Sequence, residues 1–136
     1  MNTPAAFTQT IARRLLLWGA ISTIGGVLLH FTRQPFWIGI GQQAIGWGAI
    51  DALIALIAGR STSQLFSSKT LRRVLLINAG LDVLYMLGGV IFARTKGATD
   101  DKRRGQGWGI VWQGLFLFKF DLIHGLRVPH ETPSDK

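Results

Sequence analysis

The sequence predicts an all-α polytopic membrane protein, an up-down bundle of four transmembrane helices, and three observations carry that expectation. First, four apolar segments, residues 15–32, 36–59, 74–93 and 106–126, are each about 27 to 36 Å long as helices, enough to cross a hydrocarbon core of about 30 Å. Second, of the 15 Lys and Arg and the 7 Asp and Glu, only Asp51, Asp82, Lys119 and Asp121 lie inside those segments. Third, none of the segments has the charged face at helical spacing that a water-soluble bundle needs on its outside. A hydrophobic content of 48% and a mean hydropathy of +0.29 agree with that class.

The first helix, about 11–32, follows a small polar stretch and opens with Arg13 and Arg14. A basic start before an apolar run resembles a signal peptide, but no small-x-small cleavage site follows, so it reads as an uncleaved helix. Pro35 suits the first turn of the second helix, about 36–59, because its missing N–H is not needed there, and Phe36 and Trp37 fit the headgroup boundary. The short connection makes helices 1 and 2 an antiparallel hairpin. Ala44, Gly48, Ala52, Ala55 and Gly59 give helix 2 a small-residue surface for close packing. Residues 60–73 form a polar connection in which Ser67, Ser68 and Thr70 are available to cap the third helix, about 70–94. Residues 94–107 read as a long, charged, exposed loop, and the fourth helix follows at about 105–126. A single transmembrane domain thus covers 1–127, and 128–136 reads as a disordered tail.

Net charge is +8 and the isoelectric point is near 11.2. The basic residues fall at helix ends rather than converging on a groove, which argues against nucleic acid and for anionic headgroups of a lipid bilayer. With both termini inside, that side carries Arg13, Arg14, Arg60, Lys69, Arg72, Arg73, Arg127 and Lys136, against Arg33, Arg94, Lys96, Lys102, Arg103 and Arg104 opposite. The balance favours cytoplasmic termini, in a bacterial inner membrane. The absence of cysteine excludes disulfides, thiolate metal sites and thiol catalysis. No nucleophile or phosphate-loop motif stands at a recognised spacing, and His30 and His124 lie near opposite surfaces, so neither a metal site nor a cofactor is expected, and a membrane enzyme acting on lipid or quinone is the least supported reading.

The stretch Leu71–Phe92 is the one the chain is organised around, because it places Asp82 at the middle of a spanning helix. Such a carboxyl costs roughly 2.5 to 3.5 kcal/mol to insert on translocon scales. Asn78, Asp82 and Tyr85 are spaced to share a helix face; Gln43, Trp47 and Asp51 form a second stripe, and Gln113, Leu117, Asp121 and His124 a third. Ser22 and Thr23 add hydroxyls from helix 1, and Lys119 either pairs across a helix boundary or snorkels to the surface. Asp51, Asp82 and Asp121 reach one depth, so three carboxyl groups cannot all ionise cheaply. The intramembrane polar cluster is therefore Asp51, Asn78, Asp82, Tyr85, Gln113, Lys119 and Asp121.

The two hairpins also read as duplicates. Arg13-Arg14 matches Arg72-Arg73, Gly25-Gly26-Val27 matches Gly88-Gly89-Val90, Gly41-Gln42 matches Gly105-Gln106, and Gly46-Trp47-Gly48 matches Gly107-Trp108-Gly109. Two such hairpins are parallel repeats about an axis along the membrane normal.

NAGLDVLY in helix 3 and GQGWGIVWQGLFLFKFD in helix 4, with LLLWGAIS in helix 1 and GWGAID in helix 2, resemble a family of small bacterial four-helix membrane proteins classed as a domain of unknown function. The resemblance implies small polar residues at positions 22, 48 and 51, from which Gly48 departs, and it carries no mechanism. Two functions follow from the residues. In one, the cluster binds or relays a proton, cation or small ligand. In the other, the chain is a structural or accessory subunit of a larger membrane complex or homo-oligomer, and the cluster specifies helix packing.

Overall fold

Three short polar residues set where helices begin. Thr3, Ser67 and Asp100 each hold an extended backbone just before a helix, and their side-chain oxygens accept the N–H of Ala6, Thr70 and Arg103 at 3.2, 3.2 and 3.1 Å. Pro35 opens a fourth helix without a side-chain cap. The computed structural model describes residues 3–60 and 67–130, which form α1 (Pro4–His30), α2 (Pro35–Arg60), α3 (Ser68–Thr95) and α4 (Asp101–Leu126) and no strand.

Two expected boundaries move. α1 begins at Pro4 rather than near 11, because the Thr3 cap and Pro4 start it in the polar stretch. The loop expected over 94–107 shrinks to 96–100. Asp100 caps α4, Asp101 sits in its first turn where a negative charge suits the helix dipole, and Asp101 pairs with Arg104 at 2.7 Å. Gly97 lets this turn fold against α4, since a Cβ there would stand 2.5 Å from the Arg104 Cα. In the other tight turn, between α1 and α2, Arg33 takes a left-handed backbone at φ 57°. Val128 is buried against the bundle; residues 61–66 of the polar connection and 131–136 of the expected tail lie outside the described residues.

The helices run up and down, with α1 packed on α2, α3 packed on α4, and α2 lying beside α4 through the middle. Glycine makes each contact close. A Cβ on Gly26 of α1 would stand 2.5 Å from the Gly41 carbonyl of α2, and one on Gly89 of α3 would stand 2.7 Å from the Gly107 carbonyl of α4. Between α2 and α4 the backbones meet at Gly39 and Gly105; a Cβ on either would collide with the Lys102 or Phe36 carbonyl of the other helix.

Burial is inverted relative to a water-soluble bundle. The buried apolar residues are mostly alanines, Ala12, Ala44, Ala55, Ala79 and Ala93, and no large side chain is fully buried among the described residues. Leu17, Ile24, Ile57 and Leu84, by contrast, are each 61% exposed. Small residues inside and large aliphatic residues outside is the arrangement of helices that pack by close approach in lipid. α1, α2 and α3 are long and apolar enough to cross a membrane. The fourth expected span, α4, has 26 residues but is the more polar helix, and with Gln113, Asp121 and His124 it holds more of the buried polar groups than any other helix.

Candidate functional site

Each of the three interior acids is set by the helix that carries it. On α3 the buried seam is Leu75, Ala79, Asp82, Gly89 and Ala93; on α2 it includes Gly48, Asp51 and Ala55; on α4 it includes Gln113, Leu117, Phe120, Asp121 and His124. These spacings of three, four and seven place Asp82, Asp51 and Asp121 in the bundle interior, where they are 4, 4 and 9% exposed. The Asp82 and Asp121 side chains lie within hydrogen-bonding reach of each other, and Asp51 lies close enough to interact electrostatically with both. A hydrogen bond between two carboxyl groups needs a proton on one of them. Asp51 Oδ2 and Asp82 Oδ2 are buried and accept no hydrogen bond from any described residue. The site can therefore accommodate one shared proton, with free acceptor capacity beside it.

A neutral polar layer adjoins the acids. Gln113, 2% exposed, accepts the Trp18 indole N–H through Oε1 at 3.2 Å and lies 3.5 Å from the Ser22 hydroxyl through Nε2, tying α4 to α1. Trp18 stacks on Phe116 at 3.6 Å. On the other side of the bundle, Trp47 donates to Gln43 Oε1 at 3.2 Å, and its ring lies 5.3 Å from Tyr85. Toward the helix 2 and 4 N-termini, Gln106 donates to Gln42 at 2.8 Å.

At the opposite end of α4, His124 Nδ1 faces the Phe120 carbonyl at 2.6 Å and Nε2 faces Arg14 Nη1 at 2.9 Å. Only one assignment satisfies both partners: Nδ1–H donates to the carbonyl and the bare Nε2 accepts from the guanidinium. His124 is thus the neutral tautomer, one helical turn from Asp121, with Arg14 closing that end of the interior.

Of the expected cluster, the structure brings together Asp51, Asp82 and Asp121, with Gln113 in the adjoining layer. Three members fall elsewhere. Asn78 is exposed and Tyr85 is 42% exposed, although both are spaced to share a face with Asp82. At about 100° per residue, Ala79 and Met86 lie about 60° and 40° to one side of Asp82, while Asn78 and Tyr85 lie about 40° and 60° to the other. The seam takes the first side, because Ala79 and Ala93 allow α4 to approach there. Lys119 is also exposed, two residues from Asp121 and so nearly opposite it on α4, which leaves the snorkelling alternative.

Two contacts to α4 escaped the sequence reading: Trp18, taken for packing, is partly buried and donates to Gln113, and Arg14, taken for a flanking charge and exposed, reaches His124. Their signal is spacing: Arg14, Trp18 and Ser22 recur every fourth residue, and all three touch α4. Among the described residues, no three His, Asp or Glu side chains are arranged to hold a metal ion. A family model described as a family of unknown function (DUF6992) matches residues 14–122, from Arg14 of α1 to Leu122 of α4. No curated protein and no solved structure matches the chain.

Proposed function

The chain belongs to this family of unknown function, DUF6992, and from that premise we propose that it is an integral membrane protein whose three interior acids take up, share and release a proton. The supporting observation is the cluster itself: Asp82 and Asp121 close together beside Asp51, in an interior whose helix contacts are made largely by glycine and alanine. In this reading all four helices span, and the exposed aliphatic belt faces lipid. Both termini lie in the cytoplasm of a bacterial cell, and any homo-oligomer forms through that belt.

The two hairpins, read as duplicates, argue for chemistry over packing. Their register comes from matched contacts. Gly26 meets Gly41 and Ile45 as Gly89 meets Gly107 and Val111; Gly48 meets Gly19 and Thr23 as Gly114 meets Asp82 and Met86; Gly59 meets Ala12 as Gly125 meets Leu75. Gly39 and Gly105 meet each other across the proposed axis. This register differs from the one read in the sequence for α2 and α4, where Gly41 was matched to Gly105, and at the starts of α1 and α3, where Arg13-Arg14 was matched to Arg72-Arg73 and now aligns with Leu76-Ile77. It pairs Asp82 with Gly19, Asp51 with Leu117, and Asp121 with Ala55. The same helix crossings are thus built once with acids and once with glycine, leucine and alanine, so the fold does not need the acids. A bilayer interior charges roughly 2.5 to 3.5 kcal/mol for each ionised one, so their presence speaks for a function.

The second reading, an accessory subunit whose polar groups specify helix pairing, draws on the Trp18–Gln113–Ser22 bridge, which joins α1 to α4 without any acid. Reconstitution separates the two. Vesicles carrying the protein and a trapped pH indicator should equilibrate an imposed pH step faster than empty vesicles, and Asp82→Asn should remove the difference while leaving the fold intact. Equal rates with and without protein, together with no carboxyl signal in infrared pH-difference spectra, would end the proton reading.

A further inference from the structure

The basic residues at the start of α3 differ from the other charged end of the molecule. At the start of α4, Arg103 and Arg104 are paired with Asp100 and Asp101 at 3.6 and 2.7 Å. Lys69, Arg72 and Arg73 stand at spacings of three and four on one face of α3, exposed, with no ion pair to any described residue. Together with Leu76 and Ile77 they line an open cleft of about 420 Å³. A second cleft of about 280 Å³ lies on the other side of Lys69 and Arg72, walled by Ser68, Val128, Pro129 and His130. Among the described residues no carboxylate lines either cleft.

We propose that this cleft binds the phosphate of an anionic glycerophospholipid. Three like charges held within one helical turn repel one another, and a phosphate oxygen cluster relieves that repulsion. The wall of the cleft selects the source of the phosphate. Leu76 and Ile77 continue one turn deeper than the cations, and Ile77 is 56% exposed, so an acyl chain can run along them below a headgroup held at Lys69, Arg72 and Arg73. A free phosphate ion would use the cations and gain nothing from the aliphatic wall. The proposed repeat makes the feature particular to this end of the molecule, because the α1 positions matching Lys69, Arg72 and Arg73 are Ala6, Gln9 and Thr10. The inference rests on the membrane reading, since it needs α3 to pass from headgroups into hydrocarbon at Leu76.

The full-length protein in neutral detergent, titrated with phosphatidylglycerol or phosphatidylcholine and followed by native mass spectrometry, tests the site. Phosphatidylglycerol should bind in preference. The triple variant Lys69→Gln, Arg72→Gln and Arg73→Gln should lose it on the order of a hundredfold, and Arg72→Gln alone about fivefold, since each cation near a lipid surface is worth about a factor of five. All three side chains are exposed, so helicity by circular dichroism should not change. Equal binding of the two lipids, or an unchanged triple variant, would overturn the site. Displacement of the lipid by millimolar inorganic phosphate would assign the cations to a free anion and overturn it equally. Alkaline carbonate extraction tests the underlying reading separately: release of the chain from membranes overturns both, while retention with no lipid preference overturns the site alone.

Discussion

The hairpin of α1 and α2 and the hairpin of α3 and α4 are closed by the same device and filled with different chemistry. In each, paired glycines bring backbones together near the turn, at Gly26 and Gly41 in the first and Gly89 and Gly107 in the second. Further along, the first places Gly19 against Gly48 where the second places Asp82 against Gly114. The lesson is that close packing and buried acidity have different carriers here: glycine makes the helix contacts in both hairpins, and in the proposed repeat the acids stand where the other hairpin has a small or aliphatic residue.

The most severe way to break that comparison is to deny the close approach itself. Gly105→Val should destabilise the protein by about 3 kcal/mol or more, because the added side chain meets backbone rather than a movable neighbour. Gly88→Ala, where a Cβ meets nothing within 4 Å, should change stability by no more than about 1 kcal/mol. Thermal unfolding in detergent measures both, and similar costs would show that glycine contacts do not hold the hairpins.

Next in size is an unbalanced change within the acids. Asp82→Leu removes the partner of Asp121 and inserts a larger side chain, and should cost about 2 to 3 kcal/mol by leaving a buried carboxyl unpaired. Asp82→Asn keeps the shape and the hydrogen-bonding capacity, and should stay within about 1 kcal/mol while proton exchange is lost. A sharper form copies all the matched residues: Asp51→Leu, Asp82→Gly and Asp121→Ala together should also fold, within about 2 kcal/mol of the natural chain, since replacing a whole buried polar group by packed apolar residues is often close to neutral. A triple variant that cannot fold would make the acids structural and collapse the separation.

The bridge between the hairpins should respond least. Gln113→Leu removes the Trp18 and Ser22 contacts and should cost about 0.6 to 1 kcal/mol, with a shift in tryptophan fluorescence reporting the freed indole. The up-down topology has its own test, because the chain contains no cysteine. Ser67→Cys and Thr99→Cys should label from opposite faces of the membrane with an impermeant reagent; labelling of both from one face would remove the spanning topology.

The acids could be read from the sequence because an isolated Asp inside an apolar run has few alternative explanations, and all three reached the interior. Their neighbours were harder, because facing depends on where a seam is centred. A shift of about 60° decides between Asn78 and Ala79, and what sets it is the approach of α4, a tertiary fact. Helix starts were obscured for the opposite reason: Thr3 and Asp100 sit in polar stretches whose composition suggests loop, yet each supplies the one oxygen that a first turn needs. The proposed repeat was legible only in outline. Gly39, Gly41, Gly105, Gly107 and Gly109 offer more than one register two residues apart, and the backbone contacts, not the letters, choose Gly39 with Gly105.

That crossing of Gly39 and Gly105 also works as a fulcrum. Two helices touching through bare backbone near their first turns are pinned there and less constrained at the far end, and Asp121 stands 16 residues along α4 from Gly105, a lever arm of about 24 Å. A tilt of about 4° of α4 against α2 around such a pivot would carry the Asp121 carboxyl through about 1.7 Å relative to Asp51 by that lever length. Because α3 packs along α4, Asp82 would travel with Asp121, so small angular freedom at the glycines would change the separation of Asp51 from the other two acids.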